Sequence, residues 1–506
     1  MTARIDPASL KALRDYERSR QPWRNEARDR EPIPNEGDLW DVRPLGRGPS
    51  GATAGRVFHR MNLAAHEETT RQLAGLYPFM AGRGLAADGA YIGRDRHTQA
   101  PFVYDPFQLY EQGLLSNPNL ALFGVIGSGK SALLKTLALR FCAFGIKFLN
   151  PCDTKGEMRG LAEATGAVYV PLGPGLSALS PLYAPPRPPH MSPVQYRERI
   201  EQHRMLLLRA LGETATGQPL TADQETLIEL ALREVTRSDG DPDRMRQPSM
   251  PELVEVMLSP TPTMKDELPF EILEGKECRD LALRFRSMVK GSLRGVFDGD
   301  PVPLDLSKAG LVIDISRIRN SDAAIALTMT CGQAMADLIL SFSQDRWLKI
   351  FDEAWRQVRY PAIMRRISEG QKLARGDDQT TGSATLLAMH RISDLLGADP
   401  AVRELAMGLL ADTSTRIVYN QASDQIGPTA EALGLTDIEA AQLPSLGKGS
   451  GLWKIGKHSA LVDHVVLRDG LEWPLIQTDA RMLGEGGAAE YNTVADPATA
   501  MARELG

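Results

Sequence analysis

The run Gly124-Val125-Ile126-Gly127-Ser128-Gly129-Lys130-Ser131 fits the pattern G-x-x-x-x-G-K-[ST] in full. That spacing suits one chemistry, the binding of a polyphosphate. Glycines let the backbone wrap an anion with its N–H groups turned inward, and a helix N-terminus adds partial positive charge. Lys130 would reach the β- and γ-phosphates, Ser131 would ligate Mg²⁺, and Ala132 would be the last residue in contact with the nucleotide. A second element completes the chemistry. The apolar stretch Trp347-Leu-Lys-Ile-Phe351 ends in Asp352-Glu353. Asp352 would hold Mg²⁺, directly or through water, and Glu353 would polarise the attacking water. The plainer alternative is an acid pair favoured by a helix N-terminus. Lys349 interrupts a strand that would otherwise be wholly apolar.

Strands must carry these groups. Apolar runs at Leu120–Phe123, Ile146–Leu149, Val168–Pro171, Leu311–Ile315, Leu348–Phe351, Thr385–Met389 and Arg416–Tyr419 alternate with helical segments, the βαβ pattern of a parallel sheet. Further β-stretches follow at Gly451–Ile455 and Ala460–Leu467. Between residues 190 and 297 no strand is expected. Helical spacing shows at Arg204–Leu211 and Gln224–Val235, with breaks at Asp239–Pro242 and Ser259–Pro262, and the Pro-rich stretch Pro185–Pro189 leads in. The expected architecture is α/β: a RecA-like P-loop NTPase with a mainly parallel sheet and an inserted all-helical subdomain. Its expected parts are a flexible arm over 1–60, a short lead-in over 61–115, a first motor segment over 116–185, the helical insertion over 186–300, a second motor segment over 301–475, and a tail over 476–506.

Composition narrows the classes. The 506 residues carry a net charge of −6, so polyanion binding must be local rather than a property of the whole surface. Arg4, Asp6 and Lys11 stand where a signal peptide needs an apolar core. The nearest approach to a membrane span, Ile325–Phe342, contains Gln333 and Asp337 and reads as an amphipathic helix. The four cysteines form no C-x-x-C pair, which argues against a disulfide framework and structural zinc. A cytoplasmic protein is expected, held at the inner face of the membrane, if at all, through protein partners. The N-terminal arm, with Arg14, Arg18, Arg20, Arg24, Arg28 and Arg30 among acids, is the expected dock. The basic residues Arg279, Arg284, Arg286, Lys290 and Arg294 are read as a solvated face in preference to a DNA contact.

Taken together, these blocks resemble the conjugative type IV secretion ATPases, a branch of the FtsK/HerA-like DNA-pumping ATPases. Tyr91-Ile-Gly-Arg94 and Ala100–Pro106 are similar to the family's lead-in, and Asn150-Pro-Cys-Asp153-Thr-Lys155-Gly-Glu157 to its D-P-x-x-E block. Residues Leu283–Gly299 are like its glycine-bearing segment, and Asp352-Glu353-Ala354-Trp355 is its usual acid motif. The resemblance covers about residues 80–470. It implies an ATP- and Mg²⁺-dependent motor working as a hexameric ring, with secretion-channel proteins as partners and sequence-independent contact with DNA. Two departures stand out. Only about 115 residues precede the motor, where family members carry a larger docking domain. Where a Thr-Gln pair normally ends the strand after the acid motif, this chain has Ala388-Met389-His390-Arg391.

His390 is therefore either a stand-in phosphate sensor or an ordinary loop histidine. Glu157 is either a second acid facing the nucleotide or a helix cap. Lys372, Arg375, Arg391 and Arg416 are each either the cation that completes a neighbouring subunit's site or a solvated charge. Three functions fit: an ATPase powering DNA or protein transfer through a conjugative secretion channel, a free DNA translocase or packaging motor, and a nucleotide-switched assembly scaffold with little turnover.

Overall fold

The computed structural model describes residues 85–477 apart from 86–87, 237–245, scattered positions between 268 and 306, and 319–321, 355–366, 368–381, 393–399 and 468–469. The N-terminal arm, Lys372, Arg375, Trp355 and the break at Asp239–Pro242 lie outside the described residues. In chain order, β1 (Ala90–Asp95), β2 (Pro101–Tyr104) and α1 (Pro106–Glu111) precede β3 (Leu120–Phe123) and α2 (Lys130–Cys142). Next come β4 (Lys147–Asp153), α3 (Arg159–Thr165) and β5 (Val168–Pro171). A helical stretch follows: α4 (Pro193–Thr216), α5 (Ala222–Thr236), α6 (Met250–Leu258), α7 (Pro262–Glu267) and α8 (Lys276–Lys290). The chain continues through β6 (Gly310–Asp314), α9 (Asp322–Phe342), β7 (Trp347–Phe351), β8 (Ser383–Met389), α10 (Pro400–Ala411) and β9 (Thr415–Val418). It closes with α11 (Ser423–Leu433), α12 (Asp437–Gln442), β10 (Ser450–Ile455), β11 (His458–His464) and α13 (Trp473–Ile476).

The eleven strands of the described residues join one sheet in the order β2-β1-β11-β10-β9-β3-β8-β7-β4-β6-β5. The run from β9 to β5 is parallel, whereas β10, β11, β1 and β2 pair antiparallel. This is a large, mainly parallel P-loop NTPase sheet flanked by helices. Alternation assigns each strand residue to a layer. Ala121 and Phe123 of β3, with Leu387 and Met389 of β8, enter the core shared with α9 and the α4–α8 helices. Leu120, Leu122, Leu386 and Ala388 enter the core on the side of α2. Because the parallel strands are covered on both faces, they read as unbroken apolar runs.

Two features depart from the sequence reading. First, β1 and β2 were not among the expected strands. Their sequences include Gly93, Arg94, Asp95 and Pro101, poor strand formers in isolation, and the antiparallel partner β11 holds them in place. Gly93 is needed there, since a Cβ would sit 1.9 Å from the Asp463 carbonyl oxygen. Second, α9 is buried nearly all round, and not on one face as an amphipathic helix would be. It is long and apolar enough to cross a membrane, yet most of it is buried between β4 and α4, where Thr328, Thr330 and Gln333 are buried too. The α4–α8 segment, helical throughout its described elements, packs into one continuous core with the sheet. Lys349 lies on the α9 face of β7, and its ammonium faces Asp337 of α9 at 3.7 Å, which explains a charge on a buried strand.

Candidate nucleotide site

In a parallel sheet every strand delivers the residue after its C-terminus to the same edge. Along that edge β3 leads into residues 124–131, β8 into His390, β7 into Asp352 and Glu353, and β4 ends at Asp153. The strand order therefore sets the order of the chemistry, and β8 puts His390 between the glycine-rich loop and the acid pair.

The loop is braced from two sides. Val125 N–H donates to the Asn420 carbonyl at 3.1 Å, and Gly449 N–H donates to the Ser128 carbonyl at 2.9 Å. Gly129 caps α2 with φ +103°, a conformation that side-chain-bearing residues avoid. Ile126 stands exposed at the tip. Ser131 and Ala132 occupy the first turn of α2, where free backbone N–H groups and the helix dipole favour an anion. The Lys130 ammonium donates to the Gly124 and Val125 carbonyls at 2.6 and 3.0 Å and reaches His390 Nδ1 at 3.0 Å. Burial pushes its pKa down to about 8, against the opposing pull of Asp352 and Glu353.

An ammonium has only protons to offer, so Nδ1 of His390 accepts and the ring proton sits on Nε2. Nε2 lies 2.9 and 3.1 Å from the two oxygens of Glu353. Glu353 is buried and held in the left-handed region at φ +58°, a strain of about 1–3 kcal/mol of the kind that collects at working sites. A second tie is Lys155, whose ammonium lies 2.5 Å from Glu353 Oε1 and 3.8 Å from Asp352 Oδ2. Asp153 sets that lysine's turn by accepting the N–H groups of Lys155, Gly156 and Met158 at 2.9–3.1 Å. Burial would lower the Lys155 pKa, but Asp352 and Glu353 outweigh it and the net shift is upward. Burial raises Asp352 above the usual carboxylate range, with Lys155 opposing.

Lys130, His390, Glu353 and Lys155 thus form one continuous polar line across β3, β8, β7 and β4. Lys155 carries no motif letter of its own, and the sequence reading did not single it out as a site residue. The only hint was its place inside the D-x-K-G-E block. Glu157 lies close enough to Lys135, Lys155 and Asp352 for their charges to act on it, and its Oε2 is buried with no hydrogen-bond partner. Burial raises its pKa, the two lysines opposing. The turn before α3 is organised by Asp153, and Glu157 caps nothing. Arg391 is exposed beside His390. Arg416 is turned inward, donating to the Leu433 carbonyl at 2.7 Å and the Leu410 carbonyl at 3.4 Å, which commits it to its own chain and not to a neighbour. The five basic residues 279, 284, 286, 290 and 294 are all exposed.

No cluster of three or more His, Cys, Asp or Glu side chains among the described residues could hold a metal by itself.

The fold is that of the P-loop NTPases, a large and mainly parallel sheet with helices. VirB4 of Thermoanaerobacter pseudethanolicus superposes with a TM-score of 0.60 at 20% identity, over 76% of this chain and 98% of that one. The bacterial conjugative coupling protein TrwB in its unbound form superposes at 0.46 with 15% identity, over 77% and 90%. No family model matches the sequence, and no curated protein matches it. The VirB4 likeness agrees, at the level of fold, with the resemblance to conjugative secretion ATPases of the P-loop motor type.

Proposed function

We propose that the protein is a Mg²⁺-dependent ATPase that energises transfer of DNA or protein through a conjugative type IV secretion system, acting as a homo-oligomer. The observation that carries this reading is the polar line from Lys130 to Lys155, which sets a phosphate-binding loop against a buried carboxylate. In this reading Lys130 exchanges its loop carbonyls for the β- and γ-phosphates. Glu353 accepts a proton from the attacking water, and His390 fixes the carboxylate's orientation while standing near the γ-phosphate. Mg²⁺, held by Ser131 and Asp352, would neutralise charge on the phosphates. Arg391 is the described candidate for the cation supplied to a neighbouring subunit, with Lys372 and Arg375 the other candidates. Contact with DNA, a ring of six subunits and docking on channel proteins belong to the same proposal.

Steady-state turnover and nucleotide binding test it together. Lys130→Ala is expected to abolish nucleotide binding. Glu353→Gln is expected to keep binding and lose about 10²–10⁴-fold in turnover, the usual weight of a general base. Equal loss of binding in both variants would reject the division of roles. Negligible wild-type turnover, with or without DNA, would favour the nucleotide-switched scaffold.

A further inference from the structure

The polar line runs from the phosphate loop towards β7 and β4, and in the proposed reading it fixes which way a nucleotide lies. With Lys130 at the β- and γ-phosphates and Glu353 beyond them, the γ-phosphate points across β8. The α-phosphate then rests on the first turn of α2, and the sugar and base leave on the opposite side, towards β10 and β11. That side is built differently. Gly449 N–H donates to the Ser128 carbonyl and His464 N–H to the Gly449 carbonyl, both at 2.9 Å, so the start of β10 and the end of β11 lie beside the loop. The chain leaving β11 then folds onto α2. Val466 and Ile476, both fully buried, meet Ala132 in the first turn of α2, and the half-buried Trp473 packs against this cluster. Leu467 and Leu471 stand 65% and 94% exposed in the same stretch, apolar surface left in water at the flank of the loop.

Arg140 locks this stretch to α2. Its guanidinium donates to the two oxygens of Glu472 at 2.9 and 2.6 Å, to the Val465 carbonyl at 2.9 Å and to the Tyr91 carbonyl. Trp473 N–H in turn donates to the Gly470 carbonyl at 3.2 Å, and Gly470 N–H to the Leu467 carbonyl at 3.1 Å. A forked ion pair next to the tryptophan holds its backbone in one place, as a preformed site requires. We propose that this wall, centred on Trp473 and Val466, seats the base of the bound nucleotide by stacking and apolar contact, with purines favoured over pyrimidines by area. A base has two apolar faces and a polar rim, so an aromatic ring beside a phosphate site adds affinity without a hydrogen bond to any one base. Ala132 joins the wall to the phosphate loop, and its small side chain leaves room for the sugar. The inference rests on the loop binding a nucleotide and deepens that reading: the loop takes the phosphates, and Trp473 sets which molecule carries them.

The test compares ADP, CDP and inorganic pyrophosphate, each with Mg²⁺, on the full chain. Wild type should bind ADP at least about tenfold more tightly than pyrophosphate, with CDP between them. Trp473→Ala should bring ADP to within about twofold of pyrophosphate and leave pyrophosphate itself unchanged, which also shows that the loop is folded. Trp473→Phe keeps a ring and should keep most of the ADP affinity, whereas Lys130→Ala should lose both probes. ADP should quench the wild-type indole fluorescence, pyrophosphate should not, and Trp473→Phe should lose the quench. Undiminished quenching in Trp473→Phe would overturn stacking on that ring. Equal wild-type affinity for ADP and pyrophosphate, or unchanged ADP affinity in Trp473→Ala, would overturn the wall and leave the phosphate loop standing. Equal loss of both probes in Trp473→Ala would make Trp473 a positioning residue for the loop and reject the base site. If Trp473→Ala splits oligomers and leaves ADP affinity intact, the exposed leucines meet another copy and the proposal fails. Wild type binding neither probe would sink the nucleotide reading itself, and the wall with it.

Discussion

The two parts of the sheet bury polar groups on opposite terms. In the parallel run from β9 to β5, Lys130 and Lys155 stand at one edge and Lys349 lies mid-strand under α9, and each faces an opposite charge or a carbonyl: Lys130 the loop, Lys155 two carboxylates, Lys349 Asp337. In the antiparallel part the interior is neutral. Trp453 of β10 stacks edge-on against Phe102 and Tyr104 at 5.0 and 5.2 Å, and the Tyr104 hydroxyl pairs with Thr415 at 2.8 Å. His464, almost wholly buried on β11, has its pKa pushed down to about 3 by burial, with Arg140 adding to the effect. A buried base meeting carboxylates keeps its proton; one whose burial is joined by a nearby cation gives it up. The parallel part is thus built to carry charge and the antiparallel part to frame it.

Substitution of Trp453 makes the sharpest division. Trp453→Ala should cost about 3–5 kcal/mol of stability, as for other buried aromatics, while the folded fraction keeps wild-type nucleotide affinity. Denaturant melts with and without ADP separate the two. A loss of affinity in the folded fraction would mean that the frame is part of the site. A smaller effect comes from Lys130. Its pKa is about 8 in the free protein and must rise when phosphates arrive, so binding takes up a proton above pH 8. Affinity for ATP should be fully present below that pH and fall as pH rises through it, by up to about tenfold per unit. Calorimetric titrations at pH 7 and 9 in buffers of different ionisation enthalpy would reveal the uptake. The smallest effect belongs to His464. Its folded pKa lies below that of the unfolded chain, so the unfolded state protonates first on acidification. Stability should be intact above about pH 6.5 and fall by about 1 kcal/mol for each unit below it, a slope that His464→Gln should flatten in paired thermal melts. Equal slopes in the two proteins would show that the frame tolerates a charge there.

Much of the arrangement was legible because parallel sheets announce themselves. β3, β7 and β8 are covered on both faces, so their apolar runs are continuous, and loops that need glycines or carboxylates at their ends show as breaks in that texture. What escaped was fixed by distant partners. β1 and β2 owe their conformation to β11, and no local propensity marks Gly93-Arg94-Asp95 as a strand. The inward turn of Arg416 depends on which layer lies over β9. Lys155 owes its place to β4 lying directly beside β7, a fact of strand order that no spacing along the chain encodes. His390 stood out in the sequence as a departure from the expected pair, and its contacts with both Lys130 and Glu353 appear only when β8 is placed between β3 and β7.

The interleaving of early and late strands has a consequence for how the chain must be made. β3 is synthesised near the front, but both of its neighbours, β8 and β9, emerge only after residue 382, and β1 waits for β11. Even then one side of α2 lacks its cover until Arg140 can close on Glu472 and Ala132 can meet Ile476. Throughout that interval a nascent chain carries apolar strands with open edges, the state most prone to capture or aggregation. Fragments ending before β11 should therefore behave as chaperone clients and not as smaller domains, and the nucleotide pocket becomes usable only when almost the whole described chain has left the ribosome.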